Sequence, residues 1–155
     1  MVNNISMRGM FRRRKMPLSP DYRPLYKIST VCIILDLAST GAKSSLNRLH
    51  FLIWAVRSEK SRQFIRSTLA NLEEVPVFTW GVEPALNKAL ALGVAEGLWN
   101  VDGRMYVLTE LGKKLSKSIL STSGLFEDEI LLLKEIGKRG VTEALINTLT
   151  KKANE

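Results

Sequence analysis

The stretch from Val82 to Leu120 constrains the fold more than any other part of the chain. It reads VEPALNKALALGVAEGLW, then NVDGRMYVL, then TELGKKLSKSIL. The first piece has a helical period: Leu86, Leu90, Val94 and Leu98 recur on one face with Ala89 beside them. Glu83, Asn87, Lys88 and Glu96 fall on the other face. Pro84 suits a first helical turn, where its missing N–H costs nothing, and Gly97 weakens the helix near its end. The second piece alternates about Asp102-Gly103, a dipeptide that supplies positive φ for a two-residue hairpin loop. The third opens on Thr109, a good N-cap, and sets Leu111, Leu115 and Ile119 on one stripe. Helix, short hairpin, helix is the closing half of a winged helix-turn-helix. The expected class is therefore mainly α: a winged helix-turn-helix with a short β-hairpin wing and extra C-terminal helices.

Three segments follow. Residues 1–22 form a basic arm with no sustained period and two prolines, read as flexible or ordered by a partner. Residues 23–120 form the winged-helix domain, and residues 121–155 a C-terminal helical pair. The arm matters for the charge. The net charge is +8, but residues 1–15 hold Arg8, Arg12, Arg13, Arg14 and Lys15 and no acid. The remaining 18 basic and 15 acidic residues leave the rest of the chain at only +3. Two readings of the arm stay open: a solvated charge run, or a strand of cations that tracks phosphates. A third is that translation starts at Met7, Met10 or Met16.

Within the domain, residues 24–39 read as a first helix that is apolar over most of its circumference, with Leu25, Ile28, Cys32 and Leu35 on one face and Asp36 at an exposed or hydrogen-bonded edge. Thr40-Gly41 ends it, with Gly41 in the C-terminal cap role. Residues 44–57 read as a second helix started by Ser44 or Ser45. Leu46, Leu49, Ile53 and Val56 form its main stripe; Phe51, Leu52, Trp54 and Ala55 fill much of the other side. Burying each large side chain contributes roughly 1.5–3 kcal/mol, so a helix with two apolar faces needs two sets of neighbours. The expectation is a partner interface at Arg48, Phe51, Leu52, Trp54 and Ala55. Residues 59–70 form a shorter, more polar helix. In residues 71–81, Val75, Val77 and Thr79 alternate with Pro76, Phe78 and Trp80, which suggests an extended edge segment able to pair with the hairpin. Trp80 and Trp99 read as anchors between helix and hairpin. Further on, 126–138 and 141–152 are helical, the first closed by Arg139-Gly140, the second carrying Ala144, Leu145 and Leu149 on a stripe.

Catalytic chemistry finds little support. His50 is the sole histidine and Cys32 the sole cysteine, each on an apolar helix. His50 reads as a satisfied core or interface residue, with no acid one turn away to orient it, and Cys32 as an inert buried thiol. No catalytic, cofactor-binding or metal-ligating set has the spacing its chemistry needs. Glu127, Asp128 and Glu129 point around a helix instead of converging, and Gly41-Ala42-Lys43 lacks the glycines of a phosphate loop. No apolar run spans a bilayer, and no secretory core follows the basic residues, so a cytoplasmic protein without a membrane partner is expected. A groove-reading helix needs basic and amide side chains outward. Here Asn87 and Lys88 are offset by Glu83 and Glu96, and wing residue Arg104 by Asp102, so protein docking is favoured over base readout.

Several stretches resemble one family: Arg23-Pro24 before an apolar helix, Arg48-Leu49-His50 followed by Trp54-Ala55, Pro84-Ala85-Leu86-Asn87 with Ala91, Gly97-Leu98, Gly103-Arg104, and Leu108-Thr109-Glu110-x-Gly112. Over roughly residues 22–120 the chain is similar to the small middle component of bacterial three-component ABC ATPase systems, the group that includes Lamassu-type anti-phage defence. The resemblance implies a non-enzymatic subunit without cofactor. Its partners would be an SMC-like ABC ATPase that senses DNA and an effector, often a nuclease, with DNA reached indirectly or through the arm. The alternative carried alongside is a winged-helix DNA-binding transcriptional regulator.

Overall fold

The computed structural model describes residues 24–74 and 83–153. Among them the order is α1 (Pro24–Leu37), a 3-10 turn (Thr40–Ala42), β1 (Lys43–Ser45), α2 (Leu46–Val56), α3 (Glu59–Thr68), a 3-10 segment (Leu69–Glu74), α4 (Pro84–Ala95), β2 (Trp99–Asp102), β3 (Met105–Leu108), α5 (Glu110–Ser121), α6 (Glu127–Ile136) and α7 (Glu143–Ala153). The fold is mainly helical with one small antiparallel sheet, ordered β1-β3-β2.

The centre is α1. Residues 29–35 are all buried, and the helix packs against α2, α4, α5 and α6. A helix apolar on every side has nowhere else to go. Its N-terminal turn departs from the expected stripe: Leu25 is 71% exposed. The helix ends at Leu37, and Gly41 (φ +69) serves the following 3-10 turn instead of capping α1. Asp36 accepts a hydrogen bond from Ser116 Oγ at 2.7 Å, joining α1 to α5.

Among the described residues, four side-chain oxygens set helix starts, one of them Thr142, which caps α7 by accepting from Leu145 N at 3.1 Å. Ser45 caps α2 by accepting from Arg48 N (3.2 Å), Ser58 caps α3 by accepting from Ser61 N (3.1 Å), and Thr109 caps α5 by accepting from Gly112 N (3.2 Å). Each satisfies one N–H that the first turn leaves without an intrahelical partner. Thr109 also donates to Gly97 O at 2.5 Å, which fixes the end of α4 against the start of α5.

The sheet departs from expectation in two ways. Its third strand is β1, paired to β3 through Lys43↔Val107, Ser44↔Tyr106 and Ser45↔Met105. Residues 71–74 continue a 3-10 segment, while 75–82, with the expected strand and Trp80, lie outside the described residues. The hairpin closes on Asp102↔Met105, so its two-residue loop is Gly103-Arg104, one position later than Asp102-Gly103. Gly103 carries the positive φ (+61) that the first loop position of a type II′ turn demands.

Two helix faces are rotated from the sequence expectation. On α4 the inward residues are Leu86, Ala89, Leu90 and Gly93, and Val94 is 40% exposed. On α5 they are Gly112, Ser116 and Ile119, with Leu115 partly buried, and Leu111 is 52% exposed. Small residues face inward because something large or rigid lies against them. A Cβ on Gly93 would meet Trp99 Cζ2 at 1.9 Å, and one on Gly112 would meet Leu98 O at 2.2 Å.

The C-terminal helices pack back on the domain. Leu132, Leu133, Ile136, Val141, Ile146 and Leu149 belong to the same hydrophobic cluster as α1 and α2. Here α6 stops at Gly137 (φ +65), before Arg139-Gly140, and α7 turns Ile146 and Leu149 inward while Ala144 is exposed. Arg62 of α3 helps hold α6: it donates to Val56 O at 2.7 Å and stands 3.7 Å from Glu129.

Candidate functional site

The α2 residues expected to meet a partner lie inside the chain's own core. Arg48 is 2% exposed, Phe51 1%, Leu52 0% and Ala55 0%. The expectation of a docking surface there is corrected, and the reason is what lies against the helix. Besides α1 and α3, α6 and α7 also pack against α2, and they supply neighbours beyond residues 23–120. Trp54 alone of the five is partly buried, in ring contact with Phe51 (5.9 Å) and Phe64 (6.2 Å).

Arg48 is a staple between segments far apart in sequence. Its Nε donates to Val141 O at 2.7 Å, Nη1 to Ser39 Oγ at 2.7 Å, and Nη2 to Ala38 O. Ser39 Oγ donates in turn to Ile34 O at 2.9 Å. Glu143, at the start of α7, accepts from Ser45 N at 2.9 Å. Burial lowers the pKa of the guanidinium and Glu143 opposes that. An arginine in so many hydrogen bonds stays charged at any physiological pH.

A second polar group sits between α1, α2 and α4. Lys27, 1% exposed, contacts Glu83 at 2.6 Å across the start of α4. His50 of α2 is 6% exposed, and its Nε2 has no hydrogen-bond partner among the described residues. The core placement of His50 agrees with expectation, and a carboxylate reaches its neighbourhood from Glu83, the N-cap of α4, and not from one turn away on its own helix. Burial pushes the His50 pKa down, Glu83 raises it, and Lys27 lowers it. The sequence signal for this group is Lys27, a cation inside an apolar helix, which a periodic reading passes over.

A depressed histidine pKa has a sign that can be measured. The folded chain keeps His50 neutral below the pH, about 6.5, at which the unfolded chain binds the proton. Its contribution to stability is full above that pH and is lost as pH falls through the window toward the folded pKa. Urea midpoints of the wild type should therefore fall as the pH drops below about 6.5, and His50→Gln should flatten that slope. Parallel slopes in the two proteins would show that His50 does not titrate as its burial requires.

Cys32 is fully buried, with its pKa pushed up to about 12 by burial and by Asp36, so it holds no reactive thiolate at neutral pH. No three His, Cys, Asp or Glu side chains among the described residues are grouped to hold a metal ion. No helix among them is long and apolar enough to cross a membrane. The arm residues Arg8, Arg12, Arg13, Arg14 and Lys15 lie outside the described residues.

Among the described residues, exposed large apolar side chains stand at Leu25 in α1, at Leu125 before α6 and Leu131 within it, and over the outer face of α4 and the adjoining hairpin. Asn87, Lys88, Ala91, Leu92, Val94, Ala95 and Glu96 are exposed along one helix, and Arg104 at the hairpin tip is exposed beside Gly103. Val101 (55% exposed) and Leu111 (52%) add apolar area from β2 and α5. Leu111 Cδ2 is 3.9 Å from where a Gly97 Cβ would stand, so it sits at the end of α4. Comparison with protein-family models, curated proteins and solved structures finds no match to this chain.

Proposed function

We propose that this chain is a non-catalytic winged-helix accessory subunit. It binds an SMC-like ABC ATPase in a DNA-sensing anti-phage defence complex of the cytoplasm and helps couple that ATPase to an effector nuclease. The winged-helix reading is supported by the order α1-β1-α2, the helix α4 before a β2–β3 hairpin, and the sheet order β1-β3-β2. Between α2 and α4 the described residues hold α3 and the 3-10 segment Leu69–Glu74.

The observation that carries the reading is the composition of the α4 outer face. The helix that would enter a major groove offers one cation, Lys88, and one amide, Asn87, against Glu96, with Ala91, Leu92, Val94 and Ala95 making up most of its exposed length. Duplex affinity comes largely from cations placed on phosphates, and base readout needs amides or guanidinium groups at the groove floor. Exposed aliphatic side chains supply neither and gain from being covered by protein. No step of a reaction is assigned to the chain; its role is assembly.

The test is purification of the tagged full-length chain from its native gene context. A large ATPase should co-purify in stoichiometric amount. A chain recovered alone, folded and stable, sinks the proposal. The regulator alternative makes the opposite demand. Tight binding of one duplex sequence by the isolated protein, abolished by Lys88→Ala with Arg104→Ala, would install it instead.

A further inference from the structure

On the outer face of α4 the row spaced by four residues is Lys88, Leu92, Glu96, all exposed, with Leu92 at 44%. Beside it runs a second exposed row, Asn87, Ala91, Ala95. The charges sit symmetrically: at 1.5 Å per residue, Lys88 and Glu96 lie about 6 Å on either side of Leu92. Neither forms an ion pair with another described residue.

A row with an apolar middle and opposite charges at equal distances is complementary to itself turned end for end. We infer that the α4 outer face is a homodimer contact, in which two copies pack antiparallel about a two-fold axis at Leu92. Each Lys88 then faces Glu96 of the partner subunit, twice over, and the two Leu92 side chains meet at the axis. Ridges spaced by four interdigitate across such a crossing, and the alanine row lets the helices approach toward the close end of the usual 8–10 Å. A two-fold contact uses the same patch on both copies, as this arrangement requires.

A single helix pair is a small interface, and small interfaces are weak and transient. The dimer should therefore appear as concentration-dependent association. The inference rests on reading this face as a protein-docking surface. A monomer that still recovers the ATPase would sink the dimer and leave the proposed function standing; a dimer that recovers no ATPase would do the reverse.

The experiment is sedimentation equilibrium of the full-length protein over a concentration series, at low and high salt. Lys88→Glu and Glu96→Lys each replace two attractive contacts by two repulsive ones, and each should weaken association by roughly tenfold or more. The double variant Lys88→Glu/Glu96→Lys restores opposite charges across the axis and should return association to near the wild-type level. Wild type monomeric at every concentration overturns the inference. So does a dimer indifferent to the single reversals, or one that the double reversal fails to rescue. A second readout is independent of charge: Leu92→Cys should be joined into a covalent dimer by a short bis-maleimide, since Cys32 is buried and out of reach. Absence of that product from a concentrated, folded sample also counts against it.

Discussion

Arg48→Met should lower stability by about 2–4 kcal/mol, because it strips the donor from three neutral buried acceptors. Methionine fills part of the volume but donates nothing. Val141 O, Ala38 O and Ser39 Oγ each lose a donor inside the core, and an unsatisfied buried acceptor costs about 1–3 kcal/mol. Set against a total stability of about 5–15 kcal/mol, that loss is a large fraction of the whole. The urea midpoint should fall with little change in slope, because the folded and unfolded surfaces stay nearly the same. Arg48→Lys should recover only a minor share, since one ammonium cannot reach three acceptors in the directions a guanidinium fork does. The effect should also be uneven. Val141 precedes α7, so hydrogen exchange should accelerate most in residues 141–153. A midpoint change worth less than about 1 kcal/mol would mean that water replaces the guanidinium cheaply, and that the C-terminal pair is held by apolar contacts alone.

Arg48 also explains where sequence reasoning about α2 stops. The two apolar faces of α2 are legible from Leu49, Ile53 and Val56 on one side and Phe51, Leu52 and Ala55 on the other. What covers the second face is not, because residues 121–155 read as an appendage. They are tied in by apolar residues shared with the core and by Val141 O accepting from the Arg48 guanidinium, and a backbone carbonyl leaves no trace in a residue pattern. The strand β1 is hidden for a similar reason. Lys43-Ser44-Ser45 has no apolar alternation; it is a strand only because β3 offers it hydrogen-bonding partners. The rotated faces of α4 and α5 have another cause. A period counted on large apolar residues assigns Val94 and Leu111 to the core, whereas the core side holds Gly93, Gly112 and Ser116. Close approach of neighbours selects small residues, and a hydrophobic period is blind to them. The neutral character of the α4 outer face is legible from Asn87, Lys88 and Glu96. Its apolar content is not, since the same period counts Val94 inward.

Gly93→Ala is the sharpest probe of that rotation, and it should destabilise the protein by about 1–3 kcal/mol through overpacking. The expectation runs against helix propensity, which favours alanine over glycine by about 0.8–1.0 kcal/mol in a helix interior. Packing prevails because the new methyl would lie 1.9 Å from Trp99 Cζ2 and 2.2 Å from Cε2. The ring has no free direction of retreat: Trp99 is fully buried, and its Nε1 donates to Leu90 O at 3.0 Å. Moving it breaks that bond and tilts β2 away from α4. Trp99→Phe removes the part of the ring the methyl would strike, at the cost of a cavity and a lost hydrogen bond. The two changes should therefore be strongly non-additive. Gly93→Ala in the Trp99→Phe background should be neutral or stabilising, because propensity then acts unopposed. A double-mutant cycle by denaturant unfolding measures the coupling directly. Additive effects within about 0.5 kcal/mol would mean that the ring and the glycine are not in contact, and that α4 lies rotated from the orientation on which its outer face, and everything proposed for that face, depends.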